Sequence, residues 1–422
     1  MYNYSIMPKR LILCVDLKSF YASCSALSLG LDPLKHKLAV VGNTEREGSI
    51  VLAATPPLKD LGIKQGSRLY EVPRRKDIHI VNPSMAHYIK VSNHISSILL
   101  RYVPIEDFHA YSIDEALIDV THSLHLFAKS PAELATKIIE SIKRETGISS
   151  CVGIGPNLLL AKLALDNEAK RIFSGIAYWN YDDVPTKLWP ITPLSKMWGI
   201  GPQLERKLNM MGIFSVGGLA QHPVRMLEKR FGVMGRELWE HAHGIDFSRI
   251  SEQYQPQSVS IGKGQTLLRD YTNLKEIEVL ILEQLEEVCF RLRNANKCCR
   301  TIQLKIGYSR QVGGGFNKAF TLESPTNLTM DLYKVCVRLL AENYSGDPIR
   351  IIHVTVTNLV DENNMQLSLF RDEEQIQREI ILSKTMDAIR KKYGKNSLLR
   401  ASSYLPDATG RKRNNFIGGH MS

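Results

Sequence analysis

Tyr111-Ser112-Ile113-Asp114-Glu115-Ala116 sits between two extended-looking runs, Val103–Ala110 before it and Ala116–Thr121 after it. The pattern predicts a β-hairpin with two adjacent carboxylates at its tip. Neighbouring side chains on a regular strand point to opposite faces, and a tight turn breaks that alternation, so Asp114 and Glu115 can reach one point. Asp16 offers a third carboxylate at the end of Leu11-Ile12-Leu13-Cys14-Val15, an apolar run that reads as a buried strand. Three carboxylates on neighbouring strand ends have the chemistry to hold two hard divalent cations about 4 Å apart. Asp is also common in turns, so the pair alone equally describes a solvated hairpin tip.

Bulk properties narrow the field. A chain of 422 residues exceeds the size at which single cores stop growing, so more than one domain is expected. Its net charge of +11 suits a polyanionic partner, although many basic proteins have none. The seven cysteines are odd in number and scattered, with no Cys-x-x-Cys, which reads as free thiols in a reducing cytoplasm. The start, Met1-Tyr2-Asn3-Tyr4-Ser5, lacks a signal-peptide pattern, and no apolar run is long enough to span a bilayer, so no membrane partner is expected.

Three stretches weight the reading of the hairpin. Cys14-Val15-Asp16-Leu17-Lys18-Ser19-Phe20-Tyr21-Ala22-Ser23-Cys24, Tyr111–Ala116, and Val152-Gly153-Ile154-Gly155-Pro156-Asn157-Leu158-Leu159-Leu160-Ala161-Lys162-Leu163-Ala164 together resemble the Y-family translesion DNA polymerases, in that family's order. The C-terminal half resembles the UmuC-like branch. The resemblance implies an α+β right-hand polymerase with a ferredoxin-like palm, small fingers, a helical thumb with a helix-hairpin-helix, and an α+β little finger. The implied boundaries are palm 10–34 and 87–182, fingers 35–86, thumb 183–252, little finger 253–361 and a C-terminal tail 362–422.

The local patterns are compatible with that plan. A helix starts near Ser19. His87–Arg101 reads as a helix with Ile89, Ile95, Ile98 and Leu99 inward. Ser130-Pro131-Ala132-Glu133 is a helix start with an N-cap serine, proline in the first turn and a capping-box glutamate, followed by an apolar face of Leu134, Ile138, Ile139 and Ile142. Residues 253–361 read as strand, helix, strand, strand, helix, strand, with the first helix about Asn273–Asn294. Between Val288 and Leu322 seven cations and no acid occur until Glu323, among them Arg291, Arg293, Lys297, Arg300 and Lys305. A charge run is usually a solvated face; the resemblance makes this one a DNA-binding surface.

The resemblance also implies roles. Asp16, Asp114, Glu115 and the carbonyl of Leu17 would hold two Mg²⁺. The backbone N–H groups of Phe20 and Tyr21 would meet the triphosphate of an incoming dNTP at a helix N-terminus. Tyr21 would be the steric gate against ribonucleotides, and Lys59 and Lys162 would bind triphosphate oxygens. As plain alternatives, Phe20 and Tyr21 are core aromatics and Lys162 is a surface lysine. One departure is Thr55-Pro56-Pro57, where many relatives place polar or aromatic side chains before the fingers cation. Gly199 and Gly201, in Trp198-Gly199-Ile200-Gly201-Pro202, would let backbone N–H groups approach the phosphates of primer–template DNA.

Beyond residue 361, Gln366-Leu367-Ser368-Leu369-Phe370 resembles the peptide by which bacterial polymerases dock on a sliding clamp: Leu367, Leu369 and Phe370 are apolar anchors and Gln366 an orienting amide. The same spacing also fits a short buried strand. A helix is expected about Glu374–Tyr393, then an irregular end. From Ser383 onward nine Lys/Arg face two Asp. The function implied is low-fidelity synthesis across damaged bases in an SOS-type damage response, with an accessory subunit or recombinase filament left open as an activating partner. Two alternatives stand beside it: a catalytically idle relative that occupies DNA ends and the clamp, and a nucleotide cyclase with a shared palm topology.

Overall fold

The computed structural model describes residues 4–252, 256, 259–362 and 373–421. They fall into two compact units, residues 1–253 with 420–422, and residues 254–419.

In the first unit the apolar run ending at Asp16 forms β1 (Ile12–Leu17), its first four residues buried. It leads directly into α1 (Phe20–Ser28) through Ser19, which takes a left-handed conformation at φ 50°. A separate small sheet follows. β2 (Lys37–Val41) pairs antiparallel with β3 (Val51–Ala54) and parallel with β4 (Ile78–Val81). The one-turn helix α2 (Pro56–Lys59) carries the two prolines at its first positions, where a missing N–H costs nothing.

α3 (Met85–Leu99) buries Ile95, Ile98 and Leu99 as its periodicity predicts. Ile89 departs from that expectation and is 37% exposed. Its inward place goes to Tyr88, fully buried with its hydroxyl 2.6 Å from Ser25 Oγ. A buried aromatic with its polar end satisfied fills the space against α1 better than a smaller aliphatic chain.

The hairpin is formed by β5 (Phe108–Ala110) and β6 (Glu115–Asp119), antiparallel. A one-turn helix α4 (Leu124–Phe127) precedes α5 (Pro131–Thr146). Ser130 caps α5 by accepting from Glu133 N at 3.2 Å. Gly147, at φ 74°, ends it. β7 (Ser150–Gly155), α6 (Leu158–Asn167) and β8 (Ile176–Tyr178) complete a sheet of order β5-β6-β1-β7-β8. Here β7 lies against α6 with no room for side chains: a Cβ on Gly153 would stand 2.1 Å from the carbonyl oxygen of Ala161, and one on Gly155 2.5 Å from the Ala161 nitrogen. Those glycines set α6 close to the strand end. Residues 202–242 are helical as expected, in α7 (Pro202–Asn209), α8 (Val216–Gln221), α9 (Val224–Phe231) and α10 (Val233–Ala242).

The second unit follows the order read from its periodicity: β9 (Ile261–Tyr271), α11 (Leu274–Asn294), β10 (Lys297–Tyr308), β11 (Gly315–Thr326), α12 (Thr329–Asn343) and β12 (Ile349–Asp361). The strands form an antiparallel sheet of order β11-β10-β12-β9. The inward face of α11, including Ile277, Leu280, Ile281, Leu285, Val288 and Leu292, is fully buried.

The basic C-terminal stretch is not an irregular tail. α13 (Glu373–Tyr393) buries Ile376 and Ile380 with Leu328, and residues 394–415 fold back along α11. Its cations meet acids there: Arg390 and Arg400 share Glu286 at 2.7 and 2.8 Å, and Lys395 reaches Glu287 at 3.0 Å. Asp387 corrects one expectation outright. Arg293, read as a DNA contact, is only 7% exposed and donates to both oxygens of Asp387 at 2.6 and 3.1 Å and to the carbonyl of Asn327 at 2.9 Å. A guanidinium so enclosed pins α13 to α11 and is not available to a phosphate.

Removing one partner of such a pair leaves a buried, uncompensated charge. Asp387→Ala is therefore expected to destabilise the second unit by about 3 to 5 kcal/mol, read as a loss in the midpoint of urea or thermal unfolding. A midpoint within experimental error of the parent chain would contradict the pinning role of this pair.

Candidate active site

Antiparallel pairing of β1 with β6 sets Asp16 directly across from Glu115. Asp114 lies in the preceding turn, its carbonyl accepting from Leu17 N at 2.9 Å. The turn is held by Ser112, whose backbone N–H donates to the Glu115 carbonyl and whose hydroxyl donates to Asp114 Oδ1 at 2.7 Å. The three expected carboxylates are thus brought to one end of the central strands, on backbone geometry alone.

Two lysines of the α6 region bind them. Lys162 Nζ is 2.5 Å from Glu115 Oε1 and 3.0 Å from Asp166 Oδ2. Lys170 Nζ is 2.8 Å from Asp16 Oδ2 and 2.8 Å from Asp166 Oδ1. The result is a chain of alternating charge, Glu115–Lys162–Asp166–Lys170–Asp16. The thiol of Cys14, fully buried, adds a hydrogen bond to Glu115 Oε1 at 3.1 Å. Burial, opposed by Lys170 and reinforced by Glu115 and Asp114, raises the pKa of Asp16 above the ordinary aspartate value. Burial pushes Lys170 down, but Asp16 and Asp166 outweigh it and hold the ammonium above the usual lysine range. Burial and the neighbouring Glu115 raise the Cys14 thiol, so it stays protonated as a donor.

Lys162 therefore differs from its expected setting. It is 7% exposed and committed to two carboxylates, so it is neither a surface lysine nor a free cation. Lys170, about a third exposed, is the more accessible cation, and sequence reading passed over it together with Asp166 and Cys14. The signal was present: Lys162, Asp166 and Lys170 recur every four residues, one helical face.

Lys59, at the end of α2, donates to Ser19 Oγ at 2.7 Å and has no carboxylate within ion-pair distance among the described residues. Burial lowers its pKa, Asp16 counteracts this, and Lys170 adds to it, which places Lys59 and Lys170 within electrostatic reach of each other beside Asp16. Phe20 is a core residue, 2% exposed. Tyr21 is half-buried and stacked on Tyr88 with ring centroids 4.6 Å apart and planes 14° from parallel. Burial raises its hydroxyl pKa, with Asp114 and Tyr88 adding to the effect. The ring is thus clamped at the start of α1, near Asp114. Among the described residues no three Asp, Glu, His or Cys side chains already converge as a metal cage; the lysines, rather than one another, are the carboxylates' present partners.

Gly199 has φ 89° and Gly201 is the N-cap of α7; a Cβ on either would meet only open space. The left-handed φ at Gly199 needs glycine, and the open side leaves the backbone approachable. Trp198 Nε1 donates to Tyr111 Oη at 3.2 Å, tying this segment to the turn of the carboxylate hairpin. In the second unit, Arg300 and Lys305 are exposed with no carboxylate partner among the described residues. Arg291 pairs with Glu287 at 2.9 Å, and Lys297 with Asp361 at 2.5 Å. Gln366, Leu367, Leu369 and Phe370 lie outside the described residues. No helix among the described residues is long and apolar enough to cross a membrane.

A palm-like sheet with acidic strand ends, a glycine turn before a short helix, and a second α+β unit together define a nucleic-acid polymerase fold of the right-hand type. Comparison with known proteins agrees. Models of the impB/mucB/samB family match residues 15–166, its C-terminal domain matches 258–369, and the IMS family HHH motif matches 181–213. The chain belongs to this family, the Y-family group that its motifs resemble. It is 51% identical to "Putative UV-damage repair protein UvrX" of Bacillus subtilis (strain 168), over 100% of both chains. It is 38% identical to "DNA polymerase IV 2" of the same organism, over 98% of this chain and 100% of that one. Among solved structures, "Y-family DNA polymerase chimera Dbh-Dpo4(243-245)-Dbh" shares the fold with a TM-score of 0.67 at 22% identity, covering 83% of this chain and 99% of that chain.

Proposed function

We propose that this chain is a DNA-directed DNA polymerase that adds dNTPs to a primer 3′-hydroxyl and copies past damaged template bases. The observation that carries the reading is the meeting of Asp16, Asp114 and Glu115 at one end of β1 and β6, with cations held against them. Relatives named for DNA polymerase IV and UV-damage repair support it.

The donor set fits hard divalent cations. Asp16, Asp114, Glu115 and the carbonyl of Leu17 are oxygen ligands, and burial, reinforced by the neighbouring acids, raises Asp16. Two Mg²⁺ held there would supply activation of the primer hydroxyl and charge neutralisation on the triphosphate. The protein's own part is positional. Cys14 and Lys162 hold the Glu115 carboxylate in one orientation. Lys59 and Lys170, accessible beside Asp16, bind triphosphate oxygens, a task the buried Lys162 is poorly placed to share. The N–H groups of Phe20 and Tyr21 at the start of α1 face the same anion. Tyr21, braced by Tyr88, blocks the position of a 2′-hydroxyl.

In this reading residues 10–34 and 87–182 are the palm, 35–86 the fingers, 183–252 the thumb and 253–361 the little finger. The thumb turn at Gly199–Gly201, with Arg300 and Lys305 in the little finger, holds primer–template DNA by its phosphates. Gln366, Leu367, Leu369 and Phe370 dock on a sliding clamp, a proposal that rests on sequence alone.

Primer extension tests the reading. Asp114→Ala is expected to abolish nucleotide addition, a loss of at least about a thousandfold, while leaving primer–template affinity near that of the parent; robust extension by the variant would overturn the metal-site assignment. Tyr21→Ala should raise ribonucleotide incorporation while retaining dNTP addition, and an unchanged ratio in competition assays would place the gate elsewhere. Leu369→Ala with Phe370→Ala should remove clamp-stimulated synthesis and leave clamp-free extension and melting temperature intact. A lowered melting temperature with clamp stimulation retained would make these residues core instead.

A further inference from the structure

The C-terminal segment folded along α11 leaves one edge of the second unit with more positive charge than its acids can neutralise. Six cations, Lys263, Arg291, Arg390, Lys395, Arg400 and Arg413, gather around three carboxylates, Glu283, Glu286 and Glu287. Glu286 is occupied by Arg390 and Arg400, and Glu287 by Arg291 and Lys395. Glu283 gives one oxygen to the backbone and hydroxyl of Thr409; the other is buried without a hydrogen-bond partner and faces Gly410, where a Cβ would stand 2.5 Å from it.

Lys263 and Arg413 are left over. Among the described residues neither has a carboxylate within ion-pair distance, and the hydrogen bond found for Arg413 is to a neutral amide, Gln265 Oε1 at 2.5 Å. Burial, with Arg413, Arg291 and Lys395 nearby, holds Lys263 below the usual lysine range despite Glu287. Burial likewise lowers Arg413, against the pull of Glu283 and Glu287, neither of which it reaches directly. Like charges brought together in a folded edge oppose folding unless an anion joins them, and such local conflicts are where binding sites are found. Lys263 and Arg413 are both half-buried, where β9, an edge strand, is met by the C-terminal segment through Gln265 and Arg269. Around the corner, Lys391 and Asn414 line a cavity of about 320 Å³ between α11 and the segment. Arg411 and Lys412 are exposed beside it, and Asn396 donates to the Arg411 carbonyl at 3.0 Å and accepts from Asn414 Nδ2 at 2.9 Å, which joins the two turns of the segment into one surface.

We propose that this edge is a phosphate-binding surface, with Lys263 and Arg413 at its centre and Arg291 and Lys395 beside them. Phosphate chemistry fits because several cations can share its oxygens while keeping their carboxylate partners. The phosphate comes from a nucleic-acid backbone or from a free phosphate compound. A nucleic-acid source rests on the polymerase reading above and would add a contact supplied by the C-terminal segment.

The test uses the full chain with a fluorescent primer–template duplex, its affinity followed by anisotropy from 50 to 300 mM KCl, and inorganic phosphate titrated by calorimetry in parallel. Lys263→Gln with Arg413→Gln is expected to weaken duplex binding at least about fivefold and to flatten the slope of log affinity against log salt by about one to two. Loss of inorganic phosphate binding with an unchanged duplex slope would keep the site and assign it to a free phosphate compound. Wild-type values in both arms would overturn the proposal. Should the double variant fold poorly, Lys263→Gln alone, which removes no ion pair, carries the test with an expected change in slope of about one. A parent chain that binds no primer–template would refute the polymerase reading, whereas the edge is judged by the difference between variant and parent in either arm.

Discussion

The first unit depends on keeping three like charges at the ends of adjacent strands. Asp16 and Glu115 are register partners, so their carboxylates cannot be moved apart without slipping the sheet, and a one-residue slip would swap the side chains of β1 between two differently shaped cores, Ile12 and Cys14 on one face and Leu13, Val15 and Leu17 on the other. The chain Glu115–Lys162–Asp166–Lys170–Asp16 resolves that conflict. It pairs Asp16 and Glu115 with cations, leaves Asp114 to the Ser112 hydroxyl, and links β6, α6 and β1 through a buried Lys162 and a partly exposed Lys170. Such a network stabilises little in total, since desolvation opposes attraction, but each member becomes costly to remove.

What brings the cations there is backbone proximity. Gly153 and Gly155 let α6 approach β7 to within contact of main chain on main chain, and Asn157 starts the helix by accepting from Leu160 N at 2.8 Å. Lys162 then lies one turn in, with Asp166 and Lys170 at successive fours. On the other side of the strands, Tyr88 occupies the place that periodicity reserved for Ile89 and presents a flat face to Tyr21. A ring stacked at 4.6 Å has little rotational freedom, which is the property a side chain needs if it is to exclude a group by shape.

The second unit uses charge differently. Its one-sign run from Val288 to Leu322 looked uniform in sequence, yet its members have separate fates. Arg293 is internal and bound to Asp387, Arg291 and Lys297 are paired at the surface, and Arg300 and Lys305 remain open. The partners of Arg293 and Lys297 are distant in sequence: Asp387 lies 94 residues from Arg293, and Asp361 lies 64 from Lys297. The basic C-terminal segment is likewise partly spent on Glu286 and Glu287, so its charge measures folding as much as binding.

The amino-acid sequence alone determined the order of strands and helices, the hairpin with its carboxylates, the capped start of α5 and the strand–helix alternation of the second unit. All of these follow from side-chain periodicity and local capping, which act within a few residues. Tertiary structure decided what each polar group faces. Lys162 became a buried partner of Glu115 rather than a free cation, Lys170 emerged as the accessible one, Arg293 became an internal pin, and the C-terminal segment became part of a folded unit. Burial and pairing depend on residues far apart in the chain, and the sign of a charge does not reveal whether its partner will be a carboxylate of the same fold or a phosphate brought from outside.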